Sequence, residues 1–153
     1  MKFEWMNHTG FVVSDMQQSL AFYRDLLGFK EEKNDIREGE GISQLVGYPN
    51  AKIHVVYLGT GDLKHWVELI QYINPPSSPR EQRNHYVGSS HCAYEVDDVE
   101  ALYEKLVAAG YSSINPPVDV VRGGVTVARA VYALDPDGIS VELFEEFEDV
   151  VKK

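Results

Sequence analysis

Only one cysteine, Cys92, occurs in 153 residues, so no disulfide can form within the chain, and the composition suits a reducing compartment. No apolar run approaches the length of a bilayer span, and the N-terminus Met1-Lys2-Phe3-Glu4-Trp5 carries no hydrophobic signal segment. A soluble, cytoplasmic protein with no membrane partner is the expectation. Basic residues are also scarce: 14 Lys and Arg stand against 24 Asp and Glu, a formal charge of −10. Nucleic-acid binding needs a basic stripe, and this balance excludes it. A small-molecule partner stays open, because local clusters can oppose the overall sign. What is present suffices for folding. At 44% hydrophobic and 11% aromatic residues, the chain can fill one domain, or two half-size modules sharing a core.

The most informative stretch is Leu134–Glu145, reading L-D-P-D-G-I-S-V-E-L-F-E. Asp135-Pro136-Asp137-Gly138 is a turn sequence, with Pro136 presetting one φ and Gly138 free to take the left-handed position after it. A strand follows, in which Ile139, Val141 and Leu143 alternate with Ser140, Glu142 and Phe144. Trp66-Val67-Glu68-Leu69-Ile70 repeats the V-E-L core of that strand. The likeness extends further. His8-Thr9-Gly10-Phe11-Val12-Val13-Ser14-Asp15 lies over His91-Cys92-Ala93-Tyr94-Glu95-Val96-Asp97-Asp98, and Leu27-Gly28-Phe29 meets Ala109-Gly110-Tyr111. The chain is thus a repeat of about eighty residues.

Each half reads β-α-β-β-β. Phe3–Val13 is expected as a strand, Ser14 or Asp15 caps a helix carrying Leu20, Tyr23, Leu26 and Leu27, and Gly28 ends it. Glu31–Gly41 reads as a strand end plus a loop. Ala51–Leu58 and Trp66–Tyr72 are strands around the turn-rich Gly59-Thr60-Gly61-Asp62. In the second half His91–Val96 is a strand, Asp97 or Asp98 caps a helix with Val99, Leu102, Leu106 and Val107, and Val125–Leu134 is a strand. Pro116-Pro117 and Arg122-Gly123-Gly124 mark loops. Module one is expected at 3–73, a proline-containing linker at 74–88 and module two at 89–146, with Asp149–Lys153 a frayed tail.

The repeat puts a His on the first strand and a Glu on the last strand of each half: His8 and Glu68, then His91 and Glu142. Alternation sets all four opposite the aliphatic faces that the helices must cover. Gly10 and Ala93, two residues after each His, keep those faces open. Two neutral imidazoles and two carboxylates cancel the charge of one divalent ion, and the N/O set suits Ni, Zn, Co, Mn or Fe(II). A lone strand His or Glu usually packs or faces water; two pairs at equivalent repeat positions are far less expected by chance. His54, His65 and His85 have no partner in the repeat and are read as ordinary, and Cys92 falls on the aliphatic face as a core residue.

These motifs resemble the vicinal oxygen chelate (glyoxalase/bleomycin resistance protein/dioxygenase) superfamily over nearly the whole chain. They are His8 with the Asp15–Gly28 helix, Val67-Glu68-Leu69, His91 with Val96-Asp97-Asp98-Val99, and Asp135-Pro136-Asp137-Gly138 through Glu142. The resemblance implies an α+β fold of two tandem βαβββ modules forming an open, metal-centred β-barrel, and a homodimer. By position, the family's metal ligands fall on His8, Glu68, His91 and Glu142. Glyoxalase I and methylmalonyl-CoA epimerase are the nearest types, since extradiol dioxygenases use a His-His-Glu set and bleomycin-binding members generally lack the metal ligands. The chain departs from both. The Arg that glyoxalase I carries four residues after its first ligand is Val12 here, and the epimerase's extra Glu would fall within Ile42–Val46, where only Ser43 and Gln44 are polar.

The implied activity is that of a metal-dependent lyase or isomerase moving a proton next to a carbonyl through a metal-bound enediolate or enolate. Acidifying such a C–H by about ten pKa units requires about 14 kcal/mol of differential stabilisation, which a Lewis acid can supply and a lone side chain cannot. Glu142 is the expected base, with Glu68 for the opposite face. Trp66, Ile70, Tyr72 and Phe144 share the glutamate faces and are candidate pocket walls. Arg80, Arg83 and Arg122 are candidates for an anionic group. The alternatives are a small-molecule or drug-sequestering protein and an Fe(II) extradiol-type dioxygenase.

Overall fold

The computed structural model describes residue 2, residues 4–59, residue 61, residues 65–78 and residues 80–147. Phe3, Thr60, Asp62 and the tail Asp149–Lys153 lie outside the described residues. The chain divides into two compact units, Met1–Arg80 and Glu81–Lys153.

The first unit runs β1 (His8–Val12), α1 (Met16–Leu20) continuing as one π-helical stretch (Ala21–Leu26), β2 (Lys30–Glu38), α2 (Glu40–Val46), β3 (Lys52–Gly59) and β4 (Trp66–Asn74). Its sheet has the order β1-β4-β3-β2, with β1 parallel to β4 and the other pairs antiparallel. Asp15 caps the first helix by accepting from the backbone N–H groups of Gln17 and Gln18 at 2.8 and 3.0 Å. Gly28 follows it at φ 82°, a conformation that glycine adopts without steric cost. Met16, Leu20, Phe22, Tyr23 and Leu26 on that helix are buried, as are Val56, Leu58, Val67 and Leu69 on the strands, so this aliphatic side is the core of the unit.

The second unit runs β5 (His91–Glu95), α3 (Val99–Ala108), β6 (Ser112–Ser113), β7 (Val118–Arg122), β8 (Val125–Leu134) and β9 (Ser140–Glu146). The order is β5-β9-β8-β6, with β7 also on β8, so the strand equivalent to β2 is broken into two pieces. Asp98 caps α3 through the Ala101 N–H at 2.9 Å, and the Val99 N–H donates to Glu145 at 3.0 Å. The class is α+β, as expected.

Several local expectations needed revision. Glu31–Gly41 contributes to a nine-residue strand rather than a strand end and loop, because β2 pairs with β3 along its length and its charges ladder along an edge, Lys33 and Arg37 flanking Asp35 at 3.7 and 3.8 Å. The helix α2 had no signal, since none of its residues is buried and no apolar stripe is required. Val107 points outward at 51% exposure, so only Val99 and Leu106 of the α3 set are fully buried. The proline-containing segment is bonded to the strands that flank it. Ser77 exchanges two hydrogen bonds with Tyr72 of β4, and Asn84 accepts from Ser140 of β9 at 2.7 Å.

The hairpin that presents Glu142 depends on Asp135. Its side chain is buried and accepts from the N–H groups of Asp137 and Ile139 at 2.9 and 2.8 Å, while the Gly138 N–H closes the turn on its carbonyl at 3.0 Å. Asp135→Ala should cost about 1–3 kcal/mol in urea unfolding, because two amides lose their acceptor. Asp135→Asn, which keeps the accepting oxygen, should cost less than half of that.

Candidate functional site

In the first unit the parallel pairing of β1 with β4 sets Gly10 opposite Glu68 and His8 opposite Trp66. Residues two apart on a strand share a face, so His8 and Glu68 become diagonal neighbours. His8 Nε2 lies 3.1 Å from Glu68 Oε2, and the glutamate side chain is only 10% exposed. The missing side chain at Gly10 leaves the carboxylate its space. An added Cβ would stand 3.4 Å from Glu68 Oε2 and 3.7 Å from Ile70 Cδ1.

The second unit repeats this geometry. Ala93 lies opposite Glu142 in the β5–β9 pairing, and His91 Nε2 is again 3.1 Å from Glu142 Oε2, with the carboxylate 18% exposed. A third side chain recurs as well. Tyr57 is the cross-strand partner of Glu68 and Tyr132 that of Glu142. Each tyrosine also meets its histidine edge-on, with ring centroids 5.7 Å apart for His8 and 5.1 Å for His91. Burial raises the Tyr57 phenol above its ordinary range, its hydrogen bond to Glu68 adds to this, and Arg37 opposes it. Burial likewise raises Tyr132, reinforced by the charge of Glu142 and a hydrogen bond to it. Both phenols therefore stay protonated near neutrality beside the carboxylates, and the Tyr132 hydroxyl lies 3.5 Å from His91 Nε2.

The donors fit a divalent ion. His8 Nδ1 lies 2.7 Å from the Asn7 amide oxygen, a contact that suits the tautomer protonated at Nδ1, whose Nε2 lone pair faces the Glu68 oxygen. In that tautomer two acceptors face each other, an arrangement that a metal ion between them would satisfy. The 3.1 Å separation in both pairs is close to the roughly 3.0 Å that two bonds of about 2.1 Å at a right angle would subtend. Each unit supplies two such donors. Among the described residues no group of three or more His, Cys, Asp or Glu is gathered for an ion.

The other candidate residues fall in different surroundings. Trp66, Ile70 and Tyr72 alternate along β4 with Glu68 on the same face and are partly exposed. Trp66 meets Tyr57 edge-on at 6.4 Å, and Tyr72 meets Tyr48 at 6.0 Å. Phe144 is half-buried on β9, two residues past Glu142. Arg80 is exposed, Arg83 is held by Glu81 at 2.6 Å, and Arg122 is exposed at the end of β7. The cation beside a site carboxylate is instead Arg37, 3.8 Å from Glu68 and 5.5 Å from the centre of the Tyr57 ring. Sequence reading passed over Arg37 because it sits in a charge run. The tyrosines did leave a signal, since Val56-Tyr57-Leu58 and Val131-Tyr132-Ala133 precede the two V-E-L strands at nearly equal distance. The unrepeated histidines serve local structure: His65 lies 3.0 Å from the Thr9 hydroxyl and His54 lies 2.7 Å from the Asn34 amide oxygen.

A family model described as the Glyoxalase/Bleomycin resistance protein/Dioxygenase superfamily matches residues 5–143. The chain belongs to this superfamily. Among its relatives in the superfamily, a lactoylglutathione lyase from Haemophilus influenzae is 30% identical over 90% of both chains. The mitochondrial methylmalonyl-CoA epimerase of Homo sapiens is 26% identical, over 90% of this chain and 72% of the epimerase. Among solved structures, a glyoxalase family protein from Bacillus cereus superposes with a TM-score of 0.86 at 21% identity, covering 96% of this chain and 97% of that one. Glyoxalase I of Leishmania major superposes with a TM-score of 0.68 at 22% identity, covering 98% and 92%. At such identities the superpositions establish the glyoxalase-like fold.

Glycine at position 10 of this superfamily member is open to a direct test. Gly10→Val should force the Glu68 carboxylate away from His8, read as a displaced His8 imidazole resonance in NMR spectra. Gly10→Ala adds only a methyl at contact distance and should leave that resonance close to its original position.

Proposed function

We propose that this protein is a metal-dependent lyase or isomerase that moves a proton at a carbon next to a carbonyl. The observation carrying this reading is the duplicated His–Glu pair, each with Nε2 and Oε2 at 3.1 Å and with a tyrosine across the strand from the glutamate. His8, Glu68, His91 and Glu142 together would hold one divalent ion of the Ni, Zn, Co, Mn or Fe class, whether the modules come from one chain or from two copies of a homodimer. A bound ion supplies Lewis acidity toward two neighbouring oxygens of the substrate. The relatives named lactoylglutathione lyase and methylmalonyl-CoA epimerase support this reaction class.

The chain's own groups carry the proton. Glu142 accepts it from the substrate carbon and returns it, while Glu68 serves the opposite face. Tyr132 and Tyr57, the cross-strand partners of Glu142 and Glu68, hold protonated hydroxyls beside these carboxylates. Low exposure of both carboxylates keeps bulk water from competing for the proton.

Metal analysis of protein purified without added ions should give one Ni, Co, Zn or Mn per chain; iron would favour the dioxygenase reading, and no metal a sequestering protein. His8→Ala and His91→Ala should each weaken that one ion by at least about a hundredfold, because either loss breaks a shared donor set. A variant that keeps one tightly bound ion would mean that the pairs act separately. The hemithioacetal of methylglyoxal and glutathione should be assayed beside acyl-CoA epimerisation. For whichever reacts, Glu142→Gln should abolish turnover and leave substrate binding within about threefold. Retained turnover would remove Glu142 from the role of base.

A further inference from the structure

A cavity of about 400 Å³ opens in the first unit, lined by Asn7, Glu32, Lys33, Arg37, Tyr57 and Trp66. Its size is that of a small-molecule site. Two of its walls already belong to the site: Asn7 meets the His8 ring at 2.7 Å, and Tyr57 stands opposite Glu68. Strand register explains the meeting. Gly10, Glu68, Tyr57 and Lys33 are successive cross-strand partners, so they form one row across the sheet. Arg37, four residues further along β2, reaches the same row through its contacts with Glu68 and the Tyr57 ring.

The second unit repeats the His, Glu and Tyr of this row but not its cations. Ile114 bonds to the backbone of Tyr132, where Lys33 pairs with Tyr57. Among the described residues no Lys or Arg is ion-paired with Glu142. The cations are thus what one half has beyond the shared machinery. Neither is held tightly by protein carboxylates: Arg37 lies 3.8 Å from Asp35 and from Glu68, and Lys33 lies 3.7 Å from Asp35. Those separations exceed hydrogen-bonding distance, so the planar guanidinium retains donors for a ligand.

We propose that this cavity is the substrate-recognition pocket, and that it takes a carboxylate on Arg37 with Lys33 while the adjoining carbon skeleton packs on Trp66 and Tyr57. The substrate class is therefore a carbonyl compound bearing a separate carboxylate. The substrate assignment rests on the proton-transfer reading above, whereas the pocket's preference for carboxylate does not.

Phenylacetate and phenylacetamide, alike in shape and different in charge, are suitable probes. Each would be titrated into the full-length protein as purified and again after chelation, with the Trp66 indole N–H followed by NMR. Phenylacetate should bind at least about tenfold more tightly than the amide in both forms. Arg37→Gln should bring the two within about twofold, Arg37→Lys should retain part of the preference, and Lys33→Gln should reduce it by about threefold without disturbing Glu68. Equal binding of the two probes, binding of neither, or a preference that survives Arg37→Gln would overturn the pocket. A preference that persists in protein whose metal content contradicts the enzyme reading would leave the pocket standing and remove only the reaction.

Discussion

Parallel pairing between the first and last strand of each unit is the constraint on which the site depends. It sets a residue with little or no side chain, Gly10 or Ala93, directly opposite a glutamate. The histidine two positions earlier then reaches that glutamate at 3.1 Å in both units. A slip of one residue in either register would turn the carboxylate into the aliphatic core, where an unpaired charge costs several kcal/mol. The buried aliphatic face, with Val67 and Leu69 on one strand and Val141 and Leu143 on the other, prevents that slip. Core packing and site geometry are therefore the same fact seen from two sides of one sheet.

The helices serve this arrangement indirectly. Asp15 and Asp98 start them at equivalent points after the histidine strands, and their apolar residues seal the side of the sheet away from the site. The polar face is left for chemistry because the other face is fully used. On that polar face Asn7 limits the rotation of the His8 ring, and a tyrosine stands across the strand from each glutamate.

Much of this was legible in the amino-acid order, and the reasons are specific. His8, Glu68, His91 and Glu142 could be found because strand alternation assigns a face and the internal repeat assigns equivalence. Asp135 through Gly138 could be read as a turn because its residue types demand one, and Gly138 has φ 78°. Arg37 could not be found that way. It lies on a strand whose residues are mostly exposed, where no hydrophobic period betrays either the strand or its faces. The same lack of burial hid α2, a seven-residue helix with an exposed Leu45. Tyr57 and Tyr132 were recoverable in principle, but only by extending the repeat back across each hairpin to the strand before the glutamate.

The two functions attributed to the first sheet sit on strands of different rank. Glu68 lies on β4, which is paired on both sides, whereas Lys33 and Arg37 lie on β2, which among the described residues is paired on one side only. Exchanges on such a margin disturb one ladder of backbone bonds instead of two, and few packed side chains. Descendants of this protein can thus vary what they present along that rim while the strand that seats Glu68, further in, keeps its place.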